Sequence, residues 1–202
     1  MNKLIFLPLL FFSNTSFAAS GVNQVAAFGA LGQLVLAIGY MVGLYMFIYG
    51  LYSFYLTGKY GNDPSRSIAS SFWQVATGIM LLLSSTVYAI AKGTISPTWT
   101  NTNQVLALSS SAFNNVSATG FLGYIPEGTL KTLLSAIWLI GLIGFLKGIY
   151  LFRFAADQAS GSQGYSPVKK IITHILGGVL LMNIKDTSTA VGTFFGWDFL
   201  II

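Results

Sequence analysis

Long stretches of this chain contain no charged residue. There is no Asp, Glu, Lys or Arg from Leu4 to Gly58, and none from Ser67 to Ala91. Only 7% of the 202 residues are charged and 54% are hydrophobic, whereas soluble domains carry roughly 25% charge. Because such a chain cannot present a water-compatible surface, the sequence predicts an all-α integral membrane protein.

Two segments lying 98 positions apart have nearly the same pattern. The motif Gly-Leu-x-x-Phe-x-x-Gly-x-Tyr-x-Phe begins at Gly43 and returns at Gly141. A polar loop and a second apolar segment follow each copy, and the motif Gly-x-x-Leu at Gly78 returns at Gly178, at an offset of 100. The sequence therefore predicts a duplicated apolar hairpin. Because each copy contains two spans, both insert with the same orientation, which predicts a parallel repeat, unlike the inverted repeats common in secondary transporters.

We predict four transmembrane helices, arranged as two tandem hairpins after a signal peptide. The signal peptide is predicted at 1–18, and the first hairpin follows at 19–91, with spans at about 28–56 and 68–91. A polar periplasmic loop is predicted at 92–127. The second hairpin is predicted at 128–202, with spans at about 130–152 and 168–184 and an apolar tail from 190.

The N-terminus has the three parts of a secretory signal. A basic start at Met1-Asn2-Lys3 precedes an apolar core from Leu4 to Phe12, and Ser16-Phe17-Ala18 supplies small residues before a predicted cleavage after Ala18. The core is far shorter than the roughly 20 residues that a spanning helix needs. The alternative is an uncleaved anchor. A bacterial-type signal predicts an inner-membrane protein whose mature N-terminus is periplasmic.

The positive charges predict the topology. Five basic residues fall in the two hairpin loops, which we expect in the cytoplasm: Lys59, Arg66, Arg153, Lys169 and Lys170. Three fall on the opposite side: Lys92, Lys131 and Lys185. This is the bias of the positive-inside rule. The net charge of +5 does not indicate nucleic-acid binding, because no basic run is longer than two residues.

Glycines predict the helix-packing faces. Six of them recur at spacings of four or seven residues in the two copies: Gly39, Gly43, Gly50, Gly141, Gly144 and Gly148. Spacings of this kind place small residues on one face, where two backbones can approach closely in lipid. The partner helix belongs either to this chain or to another subunit.

The residues needed for catalysis or metal binding are not present in recognisable patterns. There is no cysteine and one histidine, His174, and no acidic residue falls inside a predicted span. Walker, nucleophile-elbow and zinc-protease motifs are also missing. We therefore predict no enzymatic activity and no cofactor. Lys147 lies inside the third span, where it either extends to the interface or pairs with an acid of a partner.

Several segments together resemble a known family. These are Gly43–Leu51, the hydrophilic loop Gly58–Pro64, Phe145–Gly148, Pro167–Lys170 and the closing segment Ile175–Asn183. The chain resembles the IcmC/DotE-type inner-membrane components of Dot/Icm (type IVB) secretion and related conjugation systems. The resemblance implies a structural subunit, without direct nucleic-acid contact, that works with other inner-membrane subunits to move protein or DNA–protein substrates across the envelope. The chain is also similar to pilin-like subunits of type IV secretion, with their hairpin unit present twice.

The competing hypothesis is an autonomous small transporter or pore, including a holin-like one. Such a function needs polar groups along a path at membrane depth. The best candidates in the sequence are Gln74, Thr77, Ser84 and Ser85 of the second span.

Overall fold

The computed structural model describes residues 21–61, 68–95, 106, 125–155 and 167–196. The described residues are almost entirely helical. The helices are α1 (Gly21–Tyr60), α2 (Ile68–Leu82), α3 (Ser84–Ile95), α4 (Glu127–Leu151), α5 (Pro167–Met182) and α6 (Ile184–Phe195). The predicted signal peptide at 1–18 lies outside the described residues, as does the chain beyond 196.

Two helices are long and apolar enough to cross a membrane by themselves. These segments are Gln24–Tyr60 and Glu127–Ala155, and they contain the predicted spans 28–56 and 130–152. The first ends at Gly61, whose φ of +82° is a left-handed conformation that favours glycine, and whose N–H donates to Thr57 O at 3.0 Å.

The second predicted span differs from the structure. Instead of one helix over 68–91, α2 ends at Leu82, and α3 turns away from it by 85° after Leu83. Counting this bent pair as one span raises the number of candidate membrane helices from two to three. At about 22 Å, α2 alone is shorter than the roughly 30 Å hydrocarbon core.

The fourth predicted span, 168–184, also ends earlier than expected, because α5 stops at Met182 and Asn183 separates it from α6. This break lies 100 positions after Leu83, which is the offset of the sequence repeat. Neither break contains proline or glycine. At Asn183 (φ −109°, ψ 38°) the side-chain amide donates to Val179 O at 2.8 Å, so a polar side chain competes locally with regular helix.

The two long helices run in the same direction. Gly32 of α1 faces Trp138 of α4, and further along both helices Gly39 faces Leu146. Because α2 and α5 run antiparallel to the helices that precede them, the α1–α2 and α4–α5 links lie at the same end, which we call the loop end. The main core joins every helix except α6 and consists of Leu36, Leu81, Tyr88, Leu106, Trp138, Leu142, Phe145, Leu146, Ile149, Val179 and Met182.

Candidate functional site

The crossing of α1 and α2 is built on three glycines. A Cβ added to Gly43 would meet α2 at 2.8 Å, and one added to Gly50 would lie 2.8 Å from Val75 N. From the other helix, a Cβ on Gly78 would lie 2.6 Å from Phe47 N. Real Cβ atoms essentially never approach within 3.0 Å, so a side chain at any of the three requires a shift of the neighbouring atoms. The two backbones are therefore in direct contact.

The crossing of α4 and α5 repeats this arrangement. A Cβ on Gly141 would lie 2.8 Å from a backbone nitrogen at the C-terminal end of α5, and one on Gly148 would lie 2.9 Å from Ile175 N. A Cβ on Gly178 would lie 2.6 Å from Phe145 N. Both crossings thus use equivalent residues of the repeat at closely similar distances.

The other two predicted packing glycines have looser surroundings. Gly39 faces Leu146 of α4, with Cδ1 at 3.3 Å from a built Cβ, and Gly144 makes only an ordinary 3.9 Å contact with Gly178 Cα. All six predicted glycines therefore contact another helix of this same chain. Gly32 was missed by the sequence reasoning, although a Cβ there would lie 2.5 Å from the Trp138 ring.

The predicted loop cations lie at the loop end wherever the structure describes them. Lys59 is in the last turn of α1, and Lys169 and Lys170 are exposed near the start of α5. Arg153 follows α4 and stacks on two aromatic rings, with its guanidinium carbon 4.3 Å from each centroid. Arg66 lies outside the described residues.

A groove of about 530 Å³ opens between α1 and α4. Most of its lining is apolar and comes from Val35, Ile38, Val42 and Met46 of α1, Leu81 of α2, and Ile143 and Leu146 of α4. Lys147, Tyr150 and Arg153 line the part nearest the loop end. The Nε atom of Arg153 is buried without a hydrogen-bond partner, and within the described part of the chain Lys147 has no acidic partner. The groove thus combines apolar walls with two cations, neither of which has an acidic partner among the described residues.

A buried polar contact joins the two helix breaks. The Tyr88 hydroxyl, one turn into α3, donates to Asn183 Oδ1 at 3.0 Å and accepts from Asn183 Nδ2 at 2.8 Å. The Tyr88 ring packs edge-on against Phe145, with centroids 5.8 Å apart. Since an unpaired polar group in such a place is costly, each side chain satisfies the other.

A stripe of large exposed apolar side chains runs along α1, and we call it the α1 stripe. Its seven members alternate at spacings of four and three residues and are each at least 56% exposed: Leu34, Ile38, Met41, Tyr45, Ile48, Tyr52 and Tyr55. In the 18-residue apolar stretch of α1 that could span a membrane, only 22% is buried inside the protein, whereas the corresponding stretch of α4 is 50% buried. The face of α1 that carries Gly43 and Gly50 is therefore occupied by α2, and no described residue covers the α1 stripe.

The side chains suggested as a pore lining do not form a shared surface. Thr77 and Ser84 are fully buried, and the Thr77 hydroxyl donates to Trp73 O at 2.7 Å, inside its own helix. Gln74 and Ser84 each have a buried side-chain oxygen without a hydrogen-bond partner. Among the described residues, no group of three or more His, Cys, Asp or Glu side chains is placed to hold a metal ion.

No protein-family model, no curated protein and no solved structure matches this chain.

Proposed function

We propose that this protein is a non-enzymatic structural subunit of a larger bacterial inner-membrane complex. In view of the family resemblance described above, the complex is a type IVB secretion or conjugation apparatus that moves protein or DNA–protein substrates across the envelope. The α1 stripe is the observation that carries the assembly role, because it is an extended apolar helix face that the described part of the chain leaves exposed.

The dimensions of the α1 stripe suit a contact between membrane helices. From Leu34 to Tyr55 it is about 32 Å long, close to the roughly 30 Å hydrocarbon core. Its alternating spacing of four and three residues is that of helices packed with a left-handed crossing. The three exposed tyrosines in its loop-end half, Tyr45, Tyr52 and Tyr55, add amphipathic side chains of the type that is enriched near membrane interfaces. A neighbouring subunit that docks here would meet a helix already held rigidly by α2.

In the proposed architecture the chain forms two tandem hairpins of parallel orientation, with four membrane segments. The matching glycine crossings and the parallel course of α1 and α4 support this arrangement. The segments α2 and α5, about 22 and 24 Å long, cross most of the bilayer, and α3, bent by 85° from α2, turns toward the plane of the outer interface. The loop end then faces the cytoplasm, which agrees with its cations, and the mature N-terminus is periplasmic.

Site-specific photocrosslinking tests the assembly role. The chain contains no cysteine, so single cysteines can carry a photoreactive maleimide in native membranes. Met41→Cys and Ile48→Cys place the probe on the α1 stripe, whereas Leu51→Cys, 48% exposed, lies off the stripe on the same helix. Ile140→Cys, at a 60% exposed position of α4, is a second control.

We expect discrete protein adducts from the two stripe positions and mainly lipid adducts from the controls. Identification of the crosslinked proteins then tests the secretion assignment separately from the assembly role. Lipid adducts at all four positions would contradict a subunit contact on this face. Adducts with proteins unrelated to secretion or conjugation would contradict the assignment to that machine alone.

A transporter or pore remains the competing function. The purified protein in liposomes should then conduct ions or take up solute without any partner. If the liposomes show neither ion conductance nor solute uptake, and the crosslinks are specific to the α1 stripe, that function is rejected.

A further inference from the structure

We infer that the groove between α1 and α4 binds an anionic phospholipid, with an acyl chain against its apolar walls and the phosphate at Lys147 and Arg153. This inference depends on membrane insertion and is independent of the machine to which the protein belongs.

The two cations lie at different depths along α4, and a phospholipid phosphate at the interface can contact both. Lys147 and Arg153 are six positions apart on α4, hence about 9 Å along the helix axis. Lys147 therefore lies inside the hydrocarbon edge when Arg153 is at the interface. A cation at that depth is costly unless it extends to the interface or meets an anion. A phospholipid brings its phosphate to the interface at this level, so both side chains can contact it.

Arg153 has unused hydrogen-bonding capacity. Its guanidinium carbon lies 4.3 Å from the ring centroids of both Tyr150 and Phe154. Its Nε is buried and makes no hydrogen bond. Guanidinium groups bind phosphate oxygens with paired, charge-assisted hydrogen bonds, so a phosphate would satisfy this donor.

The internal repeat shows that helix packing does not require these cations. The glycines of the crossing are retained in both copies, but the first-copy counterparts of Lys147 and Arg153 are Tyr49 and Tyr55. The corresponding face of α1 is thus uncharged. Of the two repeat-related helices that line the groove, only α4 carries these cations, so they are not part of the shared packing motif.

The apolar part of the groove favours a lipid over a soluble anion. Ile38 and Ile143 line it and remain 56% and 48% exposed, so its wall is open to the surrounding acyl chains. A free phosphate would use the cations and leave this apolar lining empty. An acyl chain would cover it and would also hold the phosphate in position.

Native mass spectrometry of the full-length protein in detergent tests the inference. Phosphatidylglycerol is compared with phosphatidylcholine of the same acyl chains, and inorganic phosphate is the headgroup-only probe. We expect bound phosphatidylglycerol to be retained preferentially. In K147Q/R153Q the preference should fall roughly twenty-five-fold, about fivefold for each cation. The control K59Q/K169Q loses the same charge at the loop end but outside the groove, and should keep the preference.

A second pair of variants tests the acyl-chain part without changing charge. Ile143→Trp fills the groove from its open side, whereas Ile140→Trp adds the same ring at an exposed position of α4 that does not line it. Only Ile143→Trp should weaken phosphatidylglycerol binding, while helicity and elution volume stay unchanged. Equal losses in the two charge variants, equal losses in the two tryptophan variants, or full displacement by inorganic phosphate would overturn the inference.

Discussion

The adjacent glycines Gly177 and Gly178 of α5 give the sharpest test of the helix crossings. They lie in the same helix turn, but a Cβ on Gly177 meets nothing within 4 Å, whereas one on Gly178 meets three backbone atoms of α4 at 2.6 to 2.8 Å. The steric clash that Gly178→Ala creates therefore cannot be relieved by rotation of a neighbouring side chain. The helices must separate until the closest distance grows from 2.6 Å to at least 3.4 Å, the start of ordinary contact.

This separation weakens packing along the whole α4–α5 crossing. Overpacking of a tight core costs about 1–3 kcal/mol, and lipid supplies no compensating hydrophobic force between helices. Gly177→Ala involves no such clash, and it gains up to about 1 kcal/mol of helix propensity on an aqueous scale. We therefore expect the two variants to change stability in opposite directions, or at least to differ by about 1 kcal/mol or more.

The assay is reversible unfolding in mixed micelles, followed by circular dichroism and tryptophan fluorescence. The Gly177→Ala variant is the matched control, since it adds the same methyl group one position away. Equal stability of the two variants, or a larger loss for Gly177→Ala, would refute the direct backbone contact. The repeat extends the reasoning to the first hairpin, where Gly78→Ala should be destabilising by a similar amount.

Three further predictions follow from the structure. A double-mutant cycle between Tyr88→Phe and Asn183→Leu should give a coupling free energy of roughly 0.5–1.5 kcal/mol in the same unfolding assay, and additive effects would mean that the two breaks are not joined. Lys59→Cys and Lys169→Cys should react with a membrane-impermeant maleimide from the same side of the bilayer, and labelling from opposite sides would contradict parallel hairpins. Gly32→Ala should cost less than Gly178→Ala, because the clash involves the tip of a side chain, and a larger loss would show that α1 and α4 cannot adjust.

The long helices and the close glycine approaches could be predicted from the sequence, because both depend on local composition and on the repeat. The absence of charge between Leu4 and Gly58 is enough to predict a long apolar helix, and α1 extends beyond the predicted 28–56 at both ends. The glycines that recur at fixed spacing all lie in helix contacts. Gly78 and Gly178, noted only as repeat markers, make the closest approaches to backbone, with a built Cβ 2.6 Å from a backbone nitrogen in each case.

The helix breaks could not be predicted, because neither carries the usual signals. Leu83 is a good helix former, and apart from Gln74 the segment from 68 to 91 is apolar or small. Asn183 accepts a tertiary hydrogen bond from Tyr88, 95 positions away, which no local sequence pattern indicates. The packing of α1 against α4 could not be predicted either, because the contact of Gly32 with Trp138 lies outside the repeated motif.

The two copies have kept their internal crossings but are no longer interchangeable. The break after α2 has Leu83 where the break after α5 has Asn183, and Tyr88 corresponds to Ser188 in the second copy. The hydrogen bond between Tyr88 and Asn183 therefore needs one residue from each copy, and two identical first hairpins or two identical second hairpins could not form it. This difference favours pairing of the unlike hairpins within one chain over association of like hairpins. Because that pairing packs α1 against α4, it also forms the groove, which includes Ile38 and Tyr45 of the α1 stripe. The other five stripe residues face away from the groove and are the ones left for the proposed subunit contact.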